Sequence, residues 1–296
     1  MRENILKEIV LAVSEILGEG FEVTLKETIK NNNVTLQAVN ITDISRQRKV
    51  VSSVHIDEML EEIEKGSASP LGVAHRIAAI YESNISEKDV VSEIASNLDR
   101  DTILKNVRCQ LVNRERNKKL LADVPFTPFL DLAVIYRVLL EQGEETFSFV
   151  VTKELCKLYE FEEAVLKSCA QLNTALQGFE IVTMASVLSQ LSGMSEDLFE
   201  GPFPMWILRG SKDSVFGAAV MLYSHYFDTL SGELGSDLYI LPSSIYEVIA
   251  VPTCRMEPGE LREIVKCINN KEVLEEDVLS DSVYRYCRES SVIQMA

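Results

Sequence analysis

"GSDLYILPSSIYEVIAVP", residues 235 to 252, contains two short apolar runs separated by a proline and two serines. Runs of this length that are rich in Ile, Val, Leu and Tyr are typical of β-strands, and Pro242, Ser243 and Ser244 are typical of a turn between them. We expect Ser243 or Ser244 to accept a hydrogen bond from a backbone N–H in that turn. The stretch therefore predicts a strand, a serine turn and a second strand at the centre of a C-terminal antiparallel sheet.

The residues around this hairpin extend the sheet. "MWIL" and "FGAAVMLY" are two further apolar runs, and "YSHYFDTLSGEL" and "PGELREIVKCI" have the composition and spacing of helices. With "SVYRYCR" as a final strand, the last third is an α+β unit of order ββαββα. The acidic, Gly- and Pro-bearing "GMSEDLFEGPFP" before it is the best candidate boundary. We predict a region 1–195 and a unit 196–296, with one continuous globular domain as the alternative.

The N-terminal region begins with a helix that Gly18 ends, because apolar residues recur at helical spacing over residues 5–17. The pattern then alternates in "FEVTLKETI", and "VTLQAVNI" and "RKVVSSVHI" predict two more strands of a meander. "NNN" at 31–33 predicts the first turn, since Asn tolerates the left-handed conformation. Three helices are predicted next, in "DEMLEEIEKG", "SPLGVAHRIAAIYESN" with Ser69 as its cap, and "SEKDVVSEIASNL".

The middle of the chain has mixed signals. "VRCQLVN" and "TFSFVVT" predict strands, "KELCKLYEFEEAVLKSCAQL" predicts one helix, and a further helix ends at Gly193. "DLAVIYRVLL" is compatible with a buried strand or a buried helix. The complete pattern predicts an α+β fold with an N-terminal helix and antiparallel meander, a helical middle, and a C-terminal antiparallel sheet flanked by helices.

Charge limits the classes of partner. The formal net charge is −17 and the pI is about 4.7, so the average surface repels phosphate backbones and anionic lipid headgroups. Nucleic acid and membranes are therefore disfavoured as partners. No apolar run approaches the length of a membrane span, and acidic residues interrupt the N-terminal apolar positions, unlike the core of a signal peptide.

The six cysteines are widely spaced and form no C-x-x-C pair. This spacing is unlike that of a zinc ribbon or a thioredoxin-type dithiol. We predict that the cysteines are small buried hydrophobic residues in a reduced, cytoplasmic protein.

One basic stretch departs from the acidic average. Six cations occur within fifteen residues: Lys105, Arg108, Arg114, Arg116, Lys118 and Lys119. No aromatic residue lies between them to stack on bases. A solvated helix face is the preferred interpretation, and nucleic-acid binding through Arg108, Arg114, Arg116, Lys118 and Lys119 is an alternative.

Motifs for metals, phosphates and nucleophiles are missing from the sequence. It has no G-x-G-x-x-G, Walker A, H-E-x-x-H or G-x-S-x-G pattern, and "ILRGSKDSVFG" lacks the upstream glycine of a phosphate loop. Of the three histidines, His75 lies on an apolar helix face and is predicted to be a core histidine. We predict no cofactor and no metal site.

Two short segments combine tyrosine with a carboxylate. Tyr246 and Glu247 follow the serine turn, and Asp281 and Tyr284 lie in "LSDSVYRY". Such groups can exchange protons with a substrate when a pocket removes them from water. A hydrolase-type site built from these four residues is therefore one hypothesis, although a connecting role in the sheet is preferred.

Several stretches together resemble a protein family. "RERNKKLLADVPFTPFLDLAVIY", "FGAAVMLY", "GSDLYILPSSIYEVIAVP" and "EVLSDSVYRYCRES", with the early "NNNVTLQAVNI", are similar in order and spacing to domain of unknown function 5688, found in clostridial gut bacteria. The resemblance spans nearly the whole chain. It implies a bacterial, cytosolic protein and assigns no cofactor or catalytic residue. The family pattern has "SSIHE" where this chain has Tyr246, so a histidine base at that position would be lost here, unless the position is only an exposed turn.

The leading functional hypothesis is a non-catalytic binding or interaction protein that acts on a protein or small-molecule partner. The missing motifs, the scarcity of histidine and polar residues that fit turns support it. The alternatives are the hydrolase-type enzyme near Tyr246, Glu247 and Asp281, and nucleic-acid binding through 105–119. The sequence leaves open whether the chain is an enzyme.

Overall fold

The computed structural model describes residues 2–44, 51–83, 98–142, 145–201, 203–211, 215–254 and 257–296. Contacts between residues divide the chain into two compact units. The first contains Met1–Lys30 and Val34–Asp99, and the second contains Asn31–Asn33 and Arg100–Ala296.

The first unit contains the predicted helix and meander. Its elements are α1 (Arg2–Leu17), β1 (Phe21–Ile29), β2 (Thr35–Asp43), β3 (Val51–His55), α2 (Asp57–Glu64) and α3 (Pro70–Ser83). The strands form one antiparallel sheet of order β1-β2-β3. The helix predicted in "SEKDVVSEIASNL" lies outside the described residues.

Apolar periodicity explains how this unit packs. Ile9 and Val13, one turn apart on α1, are fully buried with Ile41 of β2 and Ile77 of α3. Gly18 ends α1 at φ 85°, as predicted. The Ser69 hydroxyl accepts a hydrogen bond from the Gly72 backbone N–H at 3.1 Å, which confirms the predicted cap.

The second unit contains the rest of the described elements. In chain order they are α4 (Arg100–Asn106), β4 (Val107–Asn113), α5 (Lys118–Asp123), β5 (Phe126–Phe129), β6 (Leu132–Gln142), β7 (Glu145–Val150), α6 (Lys153–Leu158), α7 (Glu163–Gln177), β8 (Phe179–Thr183), α8 (Met184–Ser192), β9 (Trp206–Gly210), α9 (Ser224–Leu234), β10 (Leu238–Pro242), β11 (Glu247–Pro252), α10 (Pro258–Lys271), β12 (Tyr284–Cys287) and β13 (Val292–Met295). All their strand pairs are antiparallel. The α+β fold class is confirmed.

Two sheets organise the second unit. The first has the order β4-β6-β5, with β7 also paired to β6, and the second has the order β13-β12-β10-β11-β9-β8. The opening stretch is confirmed as strand, turn and strand, because Leu238–Pro242 pairs with Val248–Pro252 in antiparallel register. Every residue of β10 is buried. Its Tyr239 and Leu241 pack against Leu261 and Val265 of α10.

A helix covers the edge of the first of these sheets. The Cys109 backbone N–H of edge strand β4 donates to the Thr174 hydroxyl on α7 at 2.8 Å. Asn173 on the same helix donates to the carbonyls of Leu104 and Val107 at 2.8 and 3.0 Å. Polar side chains of α7 therefore satisfy backbone groups that would otherwise attract another strand.

The structure corrects several predicted elements. "FGAAVMLY" is not a strand, since Gly217–Leu222 forms a 3-10 helix. The helix predicted in "KELCKLYEFEEAVLKSCAQL" is two helices, α6 and α7, and Glu160 between them has φ 51°. "DLAVIYRVLL" is the strand β6, and strands β5, β8 and β13 were not predicted.

The predicted regions 1–195 and 196–296 stay a prediction, and the strands on either side of position 195 share one sheet. β8 (Phe179–Thr183) lies before position 195 and pairs with β9 in the C-terminal sheet. The compact units divide near residue 100. The acidic segment "GMSEDLFEGPFP" therefore connects two strands of one sheet.

Gly217 packs closely against the backbone of the serine turn. A Cβ added to Gly217 would lie under 3.0 Å from the Tyr246 carbonyl oxygen and from the Gly210 backbone nitrogen. Because both obstacles are backbone atoms, Gly217→Ala should lower the free energy of unfolding by about 3 kcal/mol or more. Gly232→Ala on α9 is the matched control, since nothing lies within 4 Å of its added Cβ. It should stabilise by about 0.5 kcal/mol. Urea unfolding measures both, and equal stability of the two variants would contradict this packing.

Candidate functional site

The serine turn uses its own hydroxyl groups. Ser244 Oγ accepts a hydrogen bond from the Tyr246 backbone N–H at 3.1 Å, which confirms the predicted turn. The Ser244 N–H donates to the Glu247 carbonyl at 3.2 Å, and Ser243 Oγ donates to Glu247 Oε1 at 3.4 Å. The two serines and Glu247 thus hold the turn together.

Tyr246 lies at the surface of the turn, where 43% of the residue is exposed. Partial burial raises the pKa of its phenol, and the nearby carboxylate of Asp277 raises that pKa further. Arg137 acts in the opposite direction. The phenol therefore stays protonated at neutral pH and is a hydrogen-bond donor rather than a base.

Tyr284 belongs to a different group of residues, which we call the Asp131 cluster: Asp131, Ser280, Ser282 and Tyr284. The Tyr284 phenol donates to Asp131 Oδ1 at 2.8 Å, and the hydroxyls of Ser280 and Ser282 donate to Oδ2 at 2.7 and 2.9 Å. Burial, followed by the Asp131 carboxylate, raises the pKa of Tyr284 far above its usual range. Tyr284 is fully buried, so its phenol is a permanent donor to Asp131.

Asp281 lies beside this cluster and has its own partners. Its carboxylate accepts hydrogen bonds from the Arg116 guanidinium at 2.5 Å and from Asn269 Nδ2 at 2.8 Å. Asn269 also donates to the Ser280 carbonyl at 3.0 Å. The carboxylates of Asp131 and Asp281 thus both accept hydrogen bonds from protein donors.

The sheet separates Glu247 from Tyr284. Ile240 of β10 is opposite both Tyr284 of β12 and Ala250 of β11, and Glu247 lies three residues before Ala250. Two strand spacings across the sheet and three residues along the strand place the Cα atoms of Glu247 and Tyr284 about 14 Å apart. Glu247 and Tyr284 therefore cannot share one small substrate. The structure thus separates Glu247 from Tyr284, and a hydrolase-type site built from Tyr246, Glu247, Asp281 and Tyr284 stays a prediction.

The basic stretch is not one helix face, which corrects the preferred interpretation. Its residues lie on α4, β4, the following turn and α5. Arg116 binds Asp281, Lys118 pairs with Glu115 at 2.6 Å, and Arg108 donates to the carbonyls of Lys105 and Val107. Arg114 and Lys119 are exposed. The cations are distributed over several elements and partly bound within the protein, so nucleic-acid binding through them stays a prediction.

The predicted burial of one histidine and two cysteines is wrong. His75 is exposed rather than part of the core, and His55 is exposed as well. Cys254 and Cys267 are exposed, while Cys109 is buried as predicted. In the ranges the structure covers, no three His, Cys, Asp or Glu side chains come together as a metal site would need. No helix in those ranges has the length and apolar character to cross a membrane.

Sequence reasoning missed a surface cleft next to α8, which we call the α8 cleft. It has a volume of about 470 Å³ and is bordered by α8, the segment 196–201 and the start of β9. Its walls include Leu188, Phe199, Phe203 and the only tryptophan, Trp206. Among the described residues that line it, the charged ones are the acidic Glu196 and Glu200. A cluster of large apolar residues in an otherwise acidic connecting segment was the signal that could have indicated it.

A comparison with protein families identifies the chain. A model described as "Family of unknown function (DUF5688)" matches residues 2–288. The chain belongs to DUF5688. The resemblance found in the sequence is therefore confirmed, while an origin in clostridial bacteria stays a prediction. No curated protein and no solved structure is significantly similar to the chain.

The stretches that resemble DUF5688 meet at the Asp131 cluster. "FLDLAVIY" supplies Asp131, "RERNKKL" supplies Arg116, and "LSDSVYRY" supplies Ser280, Asp281 and Tyr284. The hydrogen-bond acceptors of these carboxylates are occupied by neighbouring donors. In this DUF5688 protein these hydrogen bonds stabilise the second unit, and a catalytic role for Asp281 or Tyr284 stays a prediction.

Removing one donor tests this structural role. Tyr284→Phe leaves the Asp131 carboxylate with one donor fewer at a buried position, which should lower the free energy of unfolding by about 1.5–3 kcal/mol. Tyr239→Phe is the control, because the structure gives its hydroxyl no hydrogen bond among the described residues, and it should change stability by less than about 0.5 kcal/mol. Equal effects of the two substitutions on urea unfolding would contradict a structural role for the cluster.

Thiol reactivity tests the environments of the cysteines. Burial raises the pKa of the Cys109 thiol to about 11, so at pH 8 only about one molecule in a thousand carries its thiolate. Cys254 and Cys267 are exposed and should react first with a thiol reagent. Cys109 should react only on unfolding. Because folding raises the pKa of the Cys109 thiol, this thiol contributes to the free energy of unfolding below its unfolded pKa. That contribution is lost as pH rises toward 11. Peptide mapping of labelled protein identifies the sites, and early labelling of Cys109 would contradict its burial.

Proposed function

We propose that this DUF5688 protein is a binding protein whose α8 cleft receives a segment of a partner protein that carries apolar and positively charged side chains. One observation carries the proposal: large apolar side chains are exposed around the cleft. Leu188, Leu191, Met194, Leu198 and Phe203 are between 38% and 81% exposed, all within one short part of the chain. Soluble proteins rarely leave such a concentration of apolar side chains in water unless a partner covers it.

The extent of the apolar surface favours a protein partner. Leu191, Met194 and Leu198 lie near the cleft in sequence but do not line it. A small molecule that filled the cleft would leave these three side chains in water. An amphipathic segment that continues past the cleft would cover them, as helices do when they bind in apolar grooves.

Charge selects the type of segment. Both charged walls of the cleft, Glu196 and Glu200, are acidic. The Thr183 hydroxyl donates to Glu196 Oε1 at 2.8 Å, which holds that carboxylate at the rim. The net charge of the chain is −17, so a cationic segment is attracted from a distance and an anionic one is repelled.

Trp206 provides a direct measurement, because it lines the cleft and is the only tryptophan of the chain. We would titrate the protein with a tryptophan-free amphipathic helical peptide of leucine and lysine and record Trp206 emission. We expect saturable binding with a change in emission, because the peptide removes water from the indole. A leucine and glutamate peptide of the same pattern should not bind. A lysine peptide with its leucines dispersed should bind weakly and lose that binding in salt.

A matched pair of substitutions locates the binding surface. Leu188→Ala removes an apolar wall of the cleft and should weaken peptide binding about 3- to 10-fold. Leu172→Ala removes an exposed leucine on α7, outside the cleft, and should leave the affinity unchanged. Glu200→Gln should weaken binding of the lysine peptide mainly at low salt. Equal affinities of the Leu188→Ala and Leu172→Ala variants would contradict the proposal.

A further inference from the structure

Two arginines face each other in the β4–β6 sheet of the second unit. Arg108 and Arg137 are direct partners in the antiparallel register. Directly opposite residues place their side chains on the same face with Cβ atoms about 4.5–5.5 Å apart, an arrangement that is unfavourable for like charges. Both arginines are half-buried, in a chain whose acidic residues greatly outnumber its basic ones. We call these residues the Arg108–Arg137 pair.

The surroundings hold both guanidinium groups in place. Arg108 Nη1 donates to the carbonyls of Lys105 and Val107, both at 3.1 Å. Arg137 Nη2 donates to Ser148 Oγ at 2.9 Å, and its guanidinium carbon lies 5.5 Å from the centre of the Phe216 ring. The side chain of Arg137 is thus ordered by an uncharged hydroxyl and an aromatic ring.

Arg137 has no carboxylate partner among the residues that the structure covers. None of the ion pairs found there includes Arg137, whereas Arg116, Arg209 and Arg285 each pair with an acid. Burial lowers the pKa of Arg137, whereas the Tyr246 phenol raises that pKa. A buried charge in a folded protein is normally paired, so the missing counter-charge requires an explanation.

Two buried polar atoms next to the pair also lack a partner within the described ranges. They are Arg137 Nε and Gln110 Oε1. Gln110 is 2% exposed and lies opposite Ile135, one position along the same face from the pair. A rotation of its amide would present an N–H group instead of the oxygen. The face therefore combines the Arg137 guanidinium, the Gln110 amide, the Ser148 hydroxyl and, interacting with Arg137, the Tyr246 phenol. Arg108 lies opposite Arg137 in the register.

We propose that the Arg108–Arg137 pair, with Gln110, Ser148 and Tyr246, binds a small molecule through an oxyanion group, either phosphate or carboxylate. Guanidinium groups are suited to both because their planar N–H donors match two oxygens at once. The half-buried position favours a small ligand. A nucleic-acid strand would be repelled by the net charge of −17. The site is separate from the α8 cleft in its residues, so each can be tested without the other.

Thermal unfolding of the full chain tests the site. Unfolding is followed in sodium chloride and, at the same ionic strength, with a few millimolar sodium phosphate or sodium malonate. A ligand that binds only the folded protein raises Tm. We expect Tm to rise with at least one of the two anions, and the one that acts identifies the oxyanion class. Calorimetric titration of the same anions into the folded protein should give saturable heat.

Arg137→Met separates ligand binding from a structural role. Methionine keeps much of the apolar stem but removes the charge, so the variant should lose the anion-dependent rise in Tm. In chloride alone its Tm should equal or exceed that of the original chain, because an unpaired buried charge has been removed. If Arg137 were only structural, its replacement would lower Tm in chloride. Arg285→Met is the control, since Arg285 pairs with Asp237 at 2.7 Å, and it should keep the anion response.

Two results would overturn the proposal. They are no Tm rise and no heat with either anion, and an equal anion response in Arg137→Met, whatever the Tm of that variant in chloride. Should Arg137→Met fail to fold, Ser148→Ala and Tyr246→Phe are used in the same assay, because both residues are exposed. Each should reduce the anion-dependent shift, and an unchanged shift in both variants would contradict the site.

Discussion

The Asp131 carboxylate connects the two sheets of the second unit. It lies in the two-residue turn between β5 and β6 and accepts hydrogen bonds from Ser280, Ser282 and Tyr284, where β12 begins. The preceding Leu130 has φ 56°, a conformation that is costly for a branched side chain and is tolerated only when surrounding contacts enforce it. Three donors to one carboxylate provide such contacts. The position of β12, and of the central strand β10 that pairs with it, depends on this interaction.

A second polar network reinforces the same region. Asn32, in the turn after β1, donates to the carbonyls of Glu275 and Val278, both at 2.7 Å. The Asn117 side chain accepts from the Asn32 backbone N–H at 2.8 Å and donates to Asn32 Oδ1 at 3.0 Å. Both asparagines are buried, so a substitution that removes one partner would leave the other unsatisfied. Asn32 and Asn117 thus connect separate segments of the second unit through satisfied polar groups.

The two binding proposals rest on groups that the fold leaves without such partners. Around the α8 cleft these groups are apolar side chains in water, and in the β4–β6 sheet they are the half-buried Arg137 cation, its buried Nε and the buried Gln110 Oε1. Both situations cost free energy in the unbound protein, and a ligand of complementary chemistry would remove that cost. The proposal of a binding protein accounts for both features, while hydrolysis by the tyrosine and carboxylate candidates stays a prediction.

The sequence by itself determined the local elements and the α+β class. Apolar spacing predicted α1, the meander and α10, and turn chemistry predicted the Ser244 turn and the left-handed Asn32, because these signals act between residues a few positions apart. It failed where tertiary contacts override local preference, as at Gly217–Leu222, which packs under the serine turn as a 3-10 helix. Only the tertiary structure decided which polar groups meet. Ser280 and Asp131 are 149 residues apart, and the opposition of Arg108 and Arg137 follows from strand register. Periodicity describes which face a side chain occupies, but the neighbour on that face depends on strand order and on a register that long-range packing sets.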